Sequence, residues 1–102
     1  MSIKLTQPQV MLHQMVTDFA DKEVKPLDML IDKERNYPES LWNKLVKTGF
    51  LGLTIPEEYG GAGFDVIASS QTVYDFAVRN ASVAFTLEGH YKTVDQVMKY
   101  AT

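Results

Sequence analysis

Residues 54–65 read TIPEEYGGAGFD, one proline, two adjacent acids and three glycines set inside a chain whose other segments carry helical periodicity. Pro56 marks where a preceding helix stops, because its ring fixes φ and removes a backbone donor. Gly60, Gly61 and Gly63 supply the positive-φ positions that a tight reversal needs. Asp65 then offers a carboxylate to cap whatever helix follows. The stretch therefore separates two helices rather than belonging to either, and the chain is read outward from it.

Upstream, Pro38 fits a first helical position, Leu41, Trp42, Leu45 and Val46 form an apolar face, and Gly49 fits a left-handed C-terminal cap. Before that, Thr6 and Pro8 open a helix whose stripe is Leu12, Met15, Val16, Phe19 and Ala20. Lys25 precedes Pro26, which predicts a bend or restart ahead of Leu27, Leu30 and Ile31. Lys33, Glu34, Arg35 and Asn36 make a polar break. Downstream, Asp65 starts a segment bearing Val66, Ile67, Val73, Phe76 and Ala77, closed by Arg79 and Asn80. A last run from Ser82 places Val83, Leu87, Tyr91, Val94, Met98 and Ala101 on one side. Sustained strand alternation is missing, so the expected fold is all-α, a bundle of four or five helices in one domain spanning 1–102.

Composition narrows the function classes. With 45% hydrophobic residues in 102, the chain has the apolar content of a folded domain. A net charge of -3, from ten basic and thirteen acidic residues interspersed, gives no basic footprint for nucleic acid. No cysteine is present, which excludes a disulfide framework and thiolate chemistry within these residues. The N-terminal MSIKLTQPQVMLHQMV lacks the apolar core of a signal peptide, and no run reaches membrane-spanning length. The expectation is a protein of the cytoplasm with no membrane association.

Self-contained chemistry is hard to find. The glycines do not make a dinucleotide fingerprint, and Phe64 and Asp65 stand where a Walker loop needs Lys and Ser or Thr. Glu57 and Glu58 are neighbours that point apart, as helix-start or solvent-facing acids do. His13 and His90 fall in no ligand spacing, so no metal site is expected. His90 lies on the side of Leu87, Tyr91 and Val94, which predicts a half-buried imidazole bonded through one nitrogen. Ser69 and Ser70 lack a nucleophile elbow. Glu88 sits beside an apolar face, where a carboxylate reaches solvent or finds a donor. No catalytic residue is assigned.

The run Pro38, Leu41, Trp42, Leu45 followed by TGFLGLTIPEEYGGAGFD resembles the N-terminal helical domain of the acyl-CoA dehydrogenase family, over nearly the whole chain. RNASVAFTLEGH resembles the family's R-x-A-S-V-A segment through Arg79, Ala81, Ser82, Val83 and Ala84, while VYDFAV supplies only Asp75 where an acid pair is commoner. The resemblance implies a part of a flavoenzyme that desaturates acyl-CoA thioesters with FAD. It implies that the last helix lines the acyl pocket through Leu87, Glu88, His90 and Tyr91. It further implies that the flavin-binding β domain and a second helical domain, which hold FAD and the proton-abstracting glutamate, have no counterpart in residues 1–102. FAD is therefore expected to belong to the parent family and not to be bound by this chain alone. Its partners would be acyl-CoA and those missing domains, and its unpartnered apolar surface predicts self-association. The competing expectation is a stand-alone helical module that binds an acyl ligand or a partner without redox chemistry.

Overall fold

The computed structural model describes residues 5–34 and 38–101. Arg35 and Asn36 of the polar break, the start of the N-terminal segment at 1–4, and the side chains of Glu34 and Ala101 lie outside what is described. Five α-helices appear, α1 (Gln7–Phe19), α2 (Asp28–Glu34), α3 (Glu39–Thr48), α4 (Val66–Arg79) and α5 (Ala81–Ala101), and no strand occurs among the described residues.

Thr6 opens α1 with a reciprocal cap: its hydroxyl accepts from the Gln9 N–H at 3.3 Å, and the Gln9 side-chain oxygen accepts from the Thr6 N–H at 3.0 Å. Around Pro26 the chain stays helical while its register changes between α1 and α2. The backbone passes through a π turn (Ala20–Val24) and a 3-10 turn (Lys25–Leu27) directly into α2. Such a change of register lets a helix absorb a residue that has no N–H and crowds the turn before it.

α3 begins at Glu39, one residue later than the sequence places it, with Pro38 as an extended cap at ψ 141°. Gly49 ends α3 at φ 84°, as its position predicts. Two short 3-10 turns shape the connector, Phe50–Gly52 ahead of the stretch 54–65 and Glu57–Tyr59 within it. Across the second turn the backbone closes on itself: Ala62 N–H donates to Gly52 O at 3.1 Å, Phe64 N–H to Leu53 O at 2.9 Å, and Gly63 N–H to Ile55 O at 2.9 Å. Gly60 and Gly63 have φ of 86° and 71°. Gly61 is required for another reason, since a Cβ there would lie 2.1 Å from Ile55 O. The connector is thus a rigid piece of structure between α3 and α4.

Asp65 caps α4 by accepting from Ala68 N–H at 3.0 Å. The start of α5 differs from the sequence reading, which begins the run at Ser82. Asn80 is extended, its side-chain oxygen accepts from Val83 N–H at 3.0 Å, and helix resumes at Ala81. The core joins Val16, Ala20, Val24, Ile31, Leu41, Leu45, Leu53 and Leu87 around three edge-on rings, Phe19, Phe50 and Phe76, with centroids 5.8–6.2 Å apart. Met15, Leu30, Val46, Val66, Ile67 and Ala77, read as parts of apolar faces, are exposed. Their positions flank the buried stripes, and a small bundle closes only the centre of each.

Candidate functional site

α4 and α5 lie against each other, and the connector crosses their flank, leaving a groove of about 790 Å³. Val66, Ser69, Ser70 and Val73 line it from α4, Glu88, Tyr91, Lys92, Asp95 and Lys99 from α5, and Thr54 and Phe64 from the connector. One wall is apolar. The α5 rim is charged but internally neutralised, with Lys92 Nζ 3.0 Å from Glu88 Oε1 and Lys99 Nζ 3.6 Å from Asp95 Oδ2.

Of the four residues that the resemblance assigns to a pocket wall, Glu88 and Tyr91 border this groove. Glu88 is half-exposed and finds its donor in Lys92. Leu87 is fully buried in the core. His90 is half-buried, and its Nε2 donates to Leu51 O at 2.6 Å, so one ring nitrogen is bonded as its position predicts. Tyr91 donates its hydroxyl to Phe50 O at 2.8 Å, and burial pushes its phenol well above the ordinary tyrosine range.

Glu57 and Glu58 are solvent-facing acids in the first turn of a 3-10 segment. Ser69 donates its hydroxyl to Val66 O at 3.1 Å, the behaviour of a helical serine rather than a nucleophile. Asp75, the lone acid of its helix in the sequence reading, is 2% exposed and accepts from His13 Nδ1 at 2.7 Å and Gln71 Nε2 at 3.0 Å. Sequence reasoning missed that pairing because the partners are 62 residues apart on different helices, with no local spacing to reveal them. Both histidines are thus engaged away from any hydroxyl nucleophile. No three His, Asp or Glu side chains converge as a metal site among the described residues.

A second, more apolar depression of about 530 Å³ lies between α1 and the connector, with Pro8, Met11, Met15 and Phe64 on its walls.

The family model described as "Acyl-CoA dehydrogenase, N-terminal domain" matches residues 6–102. The chain belongs to the acyl-CoA dehydrogenase N-terminal domain family. It is 38% identical over 86 residues to an acyl-CoA dehydrogenase of Bacillus subtilis, covering 84% of this chain and 23% of that protein. It is 30% identical over 102 residues to the acryloyl-CoA reductase (NADH) of Anaerotignum propionicum, covering 100% of this chain and 26% of the relative. With the mitochondrial short-chain specific acyl-CoA dehydrogenase of Sus scrofa it shares 39% identity over 67 residues, 66% of this chain and 16% of that enzyme. A chain solved in work on the electron transferring flavoprotein of Acidaminococcus fermentans and flavin-based electron bifurcation superposes with a TM-score of 0.77. That match has 33% identity and covers 85% of this chain and 23% of the other. The chain therefore spans about a quarter or less of each of these relatives. The family match confirms the all-α N-terminal helical domain that the PEEYGG and R-x-A-S-V-A segments imply.

Proposed function

We propose that the polypeptide carrying this chain is an FAD-dependent acyl-CoA dehydrogenase acting on the α,β bond of an acyl thioester, and that this domain forms one wall of the acyl-CoA and flavin site. The observation that carries the proposal is the family match over residues 6–102, and the groove beside Tyr91 supports it. The apolar side chains of Phe64, Val66, Val73 and Tyr91 in its lining suit an acyl chain, which gains stabilisation in proportion to the apolar area it buries. Glu88 closes the groove from α5. Leu87 and His90 support that wall from behind, Leu87 in the core and His90 through the connector.

The glycines of the connector do not form a cradle for the phosphates of FAD. The N–H groups of Gly60, Gly61 and Gly63 all donate to carbonyls inside the connector, to Glu57, Pro56 and Ile55. In this reading the flavin is held by other domains of the polypeptide. Those domains would also cover the aromatic and aliphatic side chains left open on α4 and α5, Tyr74, Val78 and Phe85, which are 64%, 62% and 78% exposed. Where they are absent the same surface drives self-association, which light scattering reads as a mass above the monomer. The setting belongs to the proposal too: a chain of 102 residues without cysteine suits the cytoplasm.

Ser70 is exposed and lines the groove, so Ser70→Trp fills it without disturbing the core. In the full polypeptide this substitution raises KM for acyl-CoA, more for longer chains. An unchanged KM across chain lengths places the acyl site elsewhere.

A further inference from the structure

We infer that His90 and Tyr91 are positioning residues that set the width of the groove by latching the connector to α5, an inference that rests on the acyl-binding reading of that groove. Adjacent residues of one helix donate to adjacent carbonyls of one turn, His90 to Leu51 O at 2.6 Å and Tyr91 to Phe50 O at 2.8 Å. Phe50 O also accepts from Leu53 N–H at 3.3 Å, and Leu53 O accepts from Phe64 N–H at 2.9 Å. A continuous path of hydrogen bonds thus runs from α5 to Phe64, whose ring forms the facing wall beside Thr54. The connector is rigid within itself, through the backbone bonds around Gly61, and so moves as a unit. Its distance from α5 is fixed at the Phe50–Gly52 turn, where these two side chains hold it.

The chemical consequence is a preference among acyl groups. A latched groove disfavours chains broadened by a methyl branch, and an unlatched one tolerates them better, because width rather than depth separates straight from branched acyl thioesters of equal carbon number. The acceptors are main-chain carbonyls, so no substitution on the connector removes them. Only the two donors on α5 tune the latch.

The test compares His90→Leu/Tyr91→Phe with wild type in the full polypeptide. The ratio of kcat/KM for a methyl-branched acyl-CoA over its straight-chain isomer is expected to rise about three- to tenfold, the scale of one or two neutral hydrogen bonds. Tyr91→Phe alone keeps the ring and gives a smaller rise in the same direction. His90→Gln retains a donor and returns the ratio to the wild-type value. An unchanged ratio in a double variant that melts cooperatively overturns the latch, as does a rise of equal size in His90→Gln. Hydrogen exchange separates this from a failure of the acyl-binding reading. The Leu53 and Phe64 amides exchange faster in the double variant whether or not the groove holds an acyl chain, and unaltered exchange there overturns the latch without any substrate. A KM unmoved by Ser70→Trp, with faster exchange at those amides, overturns the width-selection role while leaving the hydrogen-bond geometry in place.

Discussion

α5 is held by different chemistry at its start and at the groove. At its start, the ties to other elements run from side chain to side chain. Asn80, 2% exposed, caps the helix and donates to Asp28 Oδ1 at 2.7 Å and Asp32 Oδ1 at 3.4 Å. Arg79 donates to Asp21 Oδ1 at 2.8 Å and to Asp75 O at 2.9 Å. One turn further back, Asp75 receives His13. At the groove, by contrast, side chains hold main chain, through His90 and Tyr91 on the carbonyls of Leu51 and Phe50. The first arrangement ties the α1–α2 run to the junction of α4 and α5, and its partners can be changed singly. The second ties the connector to α5, and only one side of it is open to substitution. Stability therefore concentrates at the junction, and groove shape at the latch.

Phe76 serves both regions, because its ring meets both Phe19 and Phe50. Phe76→Ala is expected to cost about 3–5 kcal/mol in denaturant unfolding, from lost transfer energy and the cavity left behind. Asn80→Ala comes next, at about 2–3 kcal/mol, because it removes the α5 cap and leaves the Asp28 carboxylate without its buried donor. If Asn80→Ala proves no worse than a substitution at the groove, the division between the two regions fails.

Tyr91→Phe removes one neutral hydrogen bond and costs about 1 kcal/mol at neutral pH. It also changes the alkaline limb. The phenol is raised in the folded state by burial, so its contribution is complete below the unfolded value of about 10 and is lost as pH climbs from there towards the folded one. Wild-type stability falls over that range, and Tyr91→Phe loses correspondingly less, as thermal melts against pH will register.

The smallest effect belongs to Asp21. Its hydrogen bond from Arg79 holds the carboxyl below the ordinary aspartate range. The contribution is present above that range and lost as pH falls through the lowered value. Asp21 is exposed, so salt screens most of it. Asp21→Asn should flatten the acid limb slightly at low ionic strength and leave it unchanged in high salt.

Much of the architecture was legible in local chemistry. Thr6, Gly49 and Asp65 act as caps because capping depends on residues within four positions of one another. Gly60 and Gly63 take the positive φ that the reversal demands. The π turn before Pro26 was not legible, since a bend and a restart satisfy the same missing donor. In the sequence Asn80 reads as an end-of-helix residue, and Asp75 only as the single acid of VYDFAV. What makes them buried anchors lies 48–62 residues away. In the candidate site, the half-buried, singly bonded imidazole of His90 followed from its helical side, but its partner did not, because a main-chain acceptor leaves no residue type to find in a sequence. The charge pairs of the rim, Glu88–Lys92 and Asp95–Lys99, stand at four-residue spacing and were open to such a reading.

The central claim is that the groove between α4, α5 and the connector receives the acyl chain of a CoA thioester. Photolabelling tests it most directly: an acyl-CoA carrying a diazirine on its acyl chain is bound to the full polypeptide, irradiated, and the labelled peptide sequenced. Label on groove-lining residues of this domain, such as Ser70, Val73, Glu88 or Tyr91, protected by excess unlabelled acyl-CoA, is the result predicted here. Protected label confined to peptides outside the groove would contradict it.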